Sequence, residues 1–442
     1  MTANPLTYRD FNIEMTGLQD DGTFTVRVLG QTPGGEMRAA DAERAVYQGG
    51  SLSRHLGKLQ RRKASRTELV ELGQKLADLL LPGRVRRLFE DSLRALQEGE
   101  GLRLRLRVEA LPLAALPWEY AYLQRAAGEE VDSDFLCLQR KVSIARYETI
   151  GAPLKPLEAK EKIRIVAALS NPVDHPVALD LGADRRAISA AVEDLKSRAQ
   201  EVESVILPEA TRSGLLQAIN GSDIFHFSGH GVFEGSELTP DGQVLKKGKI
   251  ILETEDGASD RYDSVQLASS LGNAGVRLVV LGACMSAQRD EGGAWTGVAP
   301  ALVRENIPAV VAMQYGVMDN NAARLIAHLY TRVLGGYSID EAVSEGRLAV
   351  YTHAGLENRD WGVPVLYLRA ADGVLFPVPR VEVGASESPL VVVQRRLGTV
   401  RGEDVGAEIG EMLSGRLLVQ EEIDVVEAGG KTVGVKIDRF GG

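Results

Sequence analysis

Between residues 160 and 370, short apolar runs alternate with helical segments, and that alternation leaves few architectures open. The runs are "IRIVAALS" (163–170), "SVILPEA" (204–210), "DIFHFSGHG" (223–231), "VRLVVLGAC" (276–284) and "PAVVAMQYG" (308–316). They are too short for buried helices and rich in branched side chains. Between them lie "DRRAISAAVEDLKSRAQEV", "TRSGLLQAI" with Thr211 in the N-cap position, and "NNAARLIAHLYTRVLGG", which stops at a double glycine. Strands that are apolar on both sides need cover on both faces, so the pattern predicts a mostly parallel sheet between helical layers. Ligands of such sheets bind beyond the carboxyl ends of the strands.

Two reactive side chains sit at that edge. His230, one of six histidines in the chain, ends one run in Ser-Gly-His-Gly, and Cys284 ends another. Alone, Gly229-His230-Gly231 reads as a tight turn with a histidine cap. The cysteine changes this, because it follows the histidine by about fifty residues, the order and spacing of caspases. A thiol attacking a carbonyl needs a base to take its proton, and imidazole is the side chain best matched to that task. Gly229, Gly231, Gly282 and Ala283 are expected to leave room for a peptide backbone, with the N–H groups of Gly231 and Cys284 as an oxyanion hole. Strand alternation sets His226 aside as a support of the sheet. His328 falls in a helix, and His55, His175 and His353 fall in unrelated contexts. Cys137, in the apolar strand "DFLCLQRK", is expected to be inert core.

Flanking this region are two others. Residues 1–150 form an α+β region: "TFTVRVLG" reads as a strand, and Leu69, Leu72, Leu76, Leu79 and Leu80 make one face of a helix. "GLRLRLRVEA" (101–110) alternates leucine and arginine, a strand with its arginines on a solvated face, and Trp118 reads as a core anchor. Residues 151–379 carry the site. Residues 380–442, after the connector "FPVPRVEVGASESP", hold short strands and glycine turns, a small β-rich accessory module. Its Arg395 and Arg396 are expected beside a turn, within reach of self-cleavage.

Other classes fit poorly. A net charge of -10 disfavours nucleic acid, and the basic run "KLQRRKASR" reads as a solvated face. No apolar run reaches the ~20 residues that span a membrane. The start lacks the basic and apolar regions of a secretory signal, and two cysteines make no disulfide framework, so a cytoplasmic location is expected. No zinc-ligand spacing occurs and no glycine-rich phosphate loop follows a strand, so neither metal nor cofactor is expected and a nucleotide-binding reading lacks its motif.

With these residues in hand, the sequence resembles the CHAT family of caspase-like cysteine peptidases over roughly residues 5–370. The resemblance is carried by "LPWEYAYL", "DFLCLQRKVSIARY", "AALSNP", "FHFSGHG", "LVVLGACMSA", "VAPALVRENIPAVVAMQYGVMDNNA", "SIDEAVSEGRLAVY" and "WGVPVLYL". It implies a caspase-like αβα sandwich, with His230 as base and Cys284 as nucleophile in a regulated endopeptidase of bacterial signalling or defence. It also implies a protein substrate, and a regulatory protein partner through the terminal domains. Asn171–His175 and Gln314–Asp319 would line the primary specificity pocket, with Tyr315 and Asp319 on the substrate side. Asp174 would read a basic P1 residue or, equally, serve the loop itself. Some relatives place an acidic residue just before the cysteine; this chain has Gly282-Ala283. The alternative is a catalytically quiet scaffold that binds protein partners, which would need neither His230 nor Cys284.

Overall fold

The computed structural model describes residues 5–124, 132–147, 154, 157–197, 201–238, 244–283, 295–377, 390–400, 403–405, 408–409, 416–426, 431–433 and 436–437. The chain divides into two compact units, Met1–Val378 and Pro379–Gly442.

Among the described residues, the first unit is built on one sheet of thirteen strands. The amino-terminal strands are β1 (Thr7–Thr16), β2 (Thr23–Leu29), β3 (Glu43–Val46), β4 (Glu100–Val108) and β5 (Val142–Arg146). Then follow β6 (Lys162–Leu169), β7 (Glu201–Leu207), β8 (Ile224–Leu238), β9 (Val244–Glu253) and β10 (Ser259–Asp263). The last three are β11 (Leu278–Ala283), β12 (Ala309–Met313) and β13 (Pro364–Leu368). Two parallel blocks make up most of the sheet, and antiparallel β9 and β10 are added beside β8. One is β12-β11-β8-β6-β7, and the other is β13-β5-β4-β1, extended by antiparallel β2 and β3. They join where β12 and β13 pair antiparallel.

The β6–β12 block is covered on both faces, as its continuous apolar strands require. Ile165, Ala167, Ile224, Val280 and Val311 pack with Ile188 and Val192 of the helix Gly182–Ser197 and with Leu329 and Tyr330 of the helix Asp319–Leu334. The alternate residues Val166, Phe225, Phe227, Val279 and Val310 pack with Leu267 and Leu271 of the helix Ser264–Ala274 and with Val298 and Leu302 of the helix Trp295–Arg304. Successive side chains of one strand thus enter opposite cores, and the result is an αβα sandwich.

Several local signals are present as the sequence predicts. Thr211 caps its helix by accepting the Gly214 N–H, and the helix Asp319–Leu334 stops at Gly335. In the helix Arg66–Leu80, Ser65 and Glu68 form a capping box, and all five stripe leucines are buried. Trp118 is fully buried. Cys137 is buried too, but in the short 3-10 turn Leu136–Leu138 rather than in a strand, and burial pushes its thiol up to about 11.

Of the β4 arginines, Arg107 is exposed and Arg105 partly so, as expected, but one departs. Arg103 is 1% exposed, not on a solvated face. Its Nε and Nη2 donate to the two oxygens of Asp340 at 2.9 and 2.6 Å, and Nη1 donates to Asp10 at 3.0 Å and the Ala371 carbonyl at 2.7 Å. Ser143 donates to the same Asp340 at 2.7 Å. Alternation fails here because the helix Ile339–Ala354 covers the face that a two-layer reading leaves to water.

The histidine strand departs as well. Ser-Gly-His-Gly does not turn: β8 runs on through it to Leu238 and exchanges partners. Up to Ser228 and Gly229 it lies parallel between β6 and β11; from His230 it pairs antiparallel with β9.

The second unit pairs its strands in parallel: Leu390–Val400 with Arg416–Val426, Glu403–Val405 with Lys431–Val433, and Glu408–Ile409 with Lys436–Ile437. Arg395 and Arg396 lie in mid-strand, in register with Glu421 and Glu422, and not beside a turn. An extended strand inside a ladder is a poor protease substrate, which counts against self-cleavage there.

Candidate active site

The parallel registers of β6, β8 and β11 close together at Leu169↔Ser228 and Gly229↔Ala283. His230 is the next residue on β8, at the carboxyl edge of the parallel ladder. Cys284 is the next residue after β11, and it lies outside the described residues.

His230 is 2% exposed, and among the described residues its Nε2 has no hydrogen-bond partner. One ring face is covered by His175, with centroids 3.5 Å apart and planes 22° from parallel. Burial, then the neighbouring His175, push His230 down to about 4, against a smaller opposing effect of the Val177 backbone. The imidazole is therefore held neutral near pH 7.

His226 differs from His230 in depth, not in face. The two are four residues apart on one strand, so alternation puts both on the same side and cannot separate them. His226 sits inside the ladder, fully buried. Its Nδ1 meets the Tyr330 hydroxyl at 2.7 Å and its Nε2 meets Ser228 Oγ at 3.0 Å. Burial pushes it down to about 3, and both of its nitrogens are occupied.

The backbone direction at Gly231 follows from one hydrogen bond. The Ser228 carbonyl accepts the Ser170 N–H at 3.0 Å, so residue 228 points its backbone groups toward β6. Alternation turns 229 the other way, returns 230 to the side that β9 occupies, and aims the Gly231 N–H away from β9 toward the β11 side. Gly229 and Gly282, expected to open space for substrate, are used by the fold instead. A Cβ on Gly229 would lie 2.6 Å from the Phe227 ring, and one on Gly282 would lie 3.2 Å from Ser228 Oγ.

The loop after β6 is the other wall. Asn171 donates its N–H to Glu253 of β9 at 2.7 Å, and Val173 donates to the Gly257 carbonyl at 3.0 Å. Asp174 is exposed, and its Oδ1 accepts both the N–H and the hydroxyl of Ser259, at 2.8 and 2.6 Å. The Ser259 hydrogen bonds hold its carboxyl below the usual range. That is the loop role left open for it above. His175, placed among the unrelated histidines, is in fact the ring stacked on His230. Its neighbour lies 55 positions on, and no local pattern announces the contact; only its place in a loop at the strands' carboxyl edge marked it.

Beyond β12, Gln314 donates Nε2 to the Ala115 carbonyl at 2.8 Å, and its buried Oε1 has no partner. Tyr315 is half-buried under the Arg359 guanidinium, 4.8 Å from its ring centre, and burial pushes the phenol up to about 12. Asp319 opens the helix Asp319–Leu334. No ring contact or hydrogen bond joins Tyr315 to His230. Ser170, at the end of β6, is fully buried, and its Oγ is also without a partner. Sequence reasoning passed over Ser170, which directly follows a strand of the block as Gln314 does, and placed only Gln314 at the specificity pocket.

The CHAT domain family matches residues 70–368, from within the helix Arg66–Leu80 to the end of β13. The chain belongs to the CHAT domain family. The CHAT match thus takes in His230, Cys284 and the β12–β13 junction, and starts later than the resemblance noted from residue 5. Two crystal structures of the Saccharomyces cerevisiae separase–securin complex, at 3.0 and 2.6 Å resolution, are similar at 15% identity and a TM-score of 0.34. They cover 72% and 73% of this chain, which spans 22% and 23% of the length of the chains matched. Comparison with curated proteins gave no match. Among the described residues, no group of three or more His, Cys, Asp or Glu side chains is placed to hold a metal, and no helix is long and apolar enough to cross a membrane.

Proposed function

We propose that this chain is a cysteine endopeptidase with His230 as general base and Cys284 as nucleophile, acting on a protein substrate. The observation that carries the reading is the buried, neutral His230, its Nε2 without a partner among the described residues, one residue beyond the register in which β8 meets the strand leading to Cys284.

In this reading Nε2 takes the thiol proton as sulfur attacks the scissile carbonyl, and the Gly231 and Cys284 N–H groups hold the developing oxyanion. His230 then passes the proton to the leaving amine, so a thioester forms and the C–N bond breaks. Water, deprotonated by the same nitrogen, releases the acid and restores the thiol. Each oxyanion donor is worth roughly 2.7–4 kcal/mol in such chemistry. Asp174, Tyr315 and Asp319 are assigned to the substrate side, and residues 380–442 to partner or substrate choice.

The test is a proteome-wide search for new N-termini produced by the wild-type chain against Cys284→Ala. A discrete set of sites cut by wild type alone supports the reading. Identical sets from the two chains, with the wild type folded, would overturn it and favour a scaffold.

A further inference from the structure

The His175–His230 stack has no part in the mechanism above, yet it brings a second titratable ring to 3.5 Å from the base. Two imidazolium ions cannot share that distance without strong repulsion, so the pair holds one proton far more easily than two. We propose that His175 is a positioning residue for the base: its ring caps one face of His230 and opposes a positive charge there, so that His230 stays a free base.

The geometry holds the outer ring in place. His230 is buried, while His175 is partly exposed. The Nδ1 of His175 lies 3.1 Å from the Val177 carbonyl oxygen and 3.3 Å from the Val177 nitrogen. Its neighbour Asp174 is tied to Ser259 of β10, and Asn171 and Val173 of the same loop are tied to Glu253 and to the Gly257 carbonyl. Deeper on the histidine strand, His226 is a buried ring with both nitrogens engaged. A positive charge on His230 is therefore opposed by burial and by the stacked ring.

The proposal rests on His230 being the base, but it can be tested without activity. Full-length Cys284→Ala protein carrying ¹³C-labelled histidine would be titrated by NMR, with the rings assigned through His230→Ala and His353→Gln. In His175→Phe, which keeps a ring on the stack and removes its charge, the His230 midpoint should rise by at least about half a pH unit. His175→Gln should raise it likewise, and serves if the phenylalanine does not fit. A His230 midpoint that stays put or falls in both variants would overturn the proposal. In the active chain, the acid limb of kcat/KM should move up with the same variants. A chain that cleaves nothing would count against the peptidase reading, while the titration would still decide the role of His175.

Discussion

The two blocks of the sheet treat buried polar groups in opposite ways. In the β1–β5 block, Arg103 is buried with all three guanidinium nitrogens bonded, to Asp340, Asp10 and the Ala371 carbonyl. At the carboxyl edge of the β6–β12 block, Ser170 Oγ, His230 Nε2 and Gln314 Oε1 are buried with no partner among the described residues. Unbonded atoms also occur on Arg146 and Arg347, whose side chains pair through their other nitrogens, and on Ser344 of the helix Ile339–Ala354. What sets the carboxyl edge apart is that its three unpartnered atoms lie at or just beyond the ends of strands β6 and β12 and in β8 where the parallel ladder stops. Native proteins seldom leave such groups without a role. One half of this sheet uses its buried arginine to hold the fold, whereas the other gathers unpartnered polar atoms along one edge.

The comparison breaks first at the reacting groups. Cys284→Ala and His230→Ala should each cut peptidase activity by at least ~10³-fold, in line with losses of single members of such dyads, with melting temperatures close to wild type. Residual cleavage within a few-fold of wild type, with contaminating protease excluded, would remove the assignment. On the other side, Asp340→Ala strands Arg103 and should cost about 3–5 kcal/mol in urea unfolding. Arg103→Met with Asp340→Leu should recover most of it, since the charges then leave together.

His226 tests the boundary between the blocks' two habits, being a fully bonded polar group beside the site. Its folded-state value near 3 lies below the unfolded value of 6.5, so the unfolded chain binds the proton more tightly. Its contribution is intact above pH 6.5 and is lost as pH falls toward 3, by about 2 kcal/mol between pH 7 and pH 5. His226→Gln should flatten that part of the stability profile while activity per folded molecule survives. A fall in activity as deep as that of His230→Ala, with the fold intact, would mean that the wrong histidine has been named the base.

Truncation after Pro379 should leave a core that hydrolyses a small peptide and loses preference for its protein substrate. A folded but wholly inactive core would place part of the site in residues 380–442. Smallest is the effect at Asp174. If its carboxylate reads a basic P1 residue, Asp174→Asn should lower kcat/KM for Arg and Lys peptides several-fold and spare aliphatic ones. Equal loss on both would leave Asp174 as the Ser259 anchor and nothing more.

Local signals made much of the fold legible. The Thr211 cap, the double glycine after Leu334 and the leucine stripe of 69–80 each act within a turn or two of chain, so the residues alone reveal them. His230 was legible because an apolar run of strand length has one carboxyl end. Arg103 was not: its partner Asp340 is 237 residues away, and a leucine–arginine alternation looks the same whether its polar side meets water or an aspartate. His175 was hidden for the same reason. Gly229 and Gly282 were misread because the absence of a side chain does not say who uses the space, a substrate or a neighbouring ring.

The antiparallel seam between β12 and β13 also imposes an order in time. Strand β5 pairs with β4 on one side but cannot find its other partner until β13 has been made, some 220 residues later. At ordinary synthesis rates of 5–20 residues per second, that is a wait of roughly 10–45 seconds. For the last stretch of it, once Ala309–Met313 has been made, β12 likewise lacks one neighbour, so the amino-terminal strands and the histidine block emerge as separate half-sheets with bare edges. The last strand to appear is the one that welds them. A nascent chain therefore carries His230 and Cys284 well before it has a closed sheet to hold them, and any ribosome that stops short of Leu368 releases two sticky halves instead of one molecule.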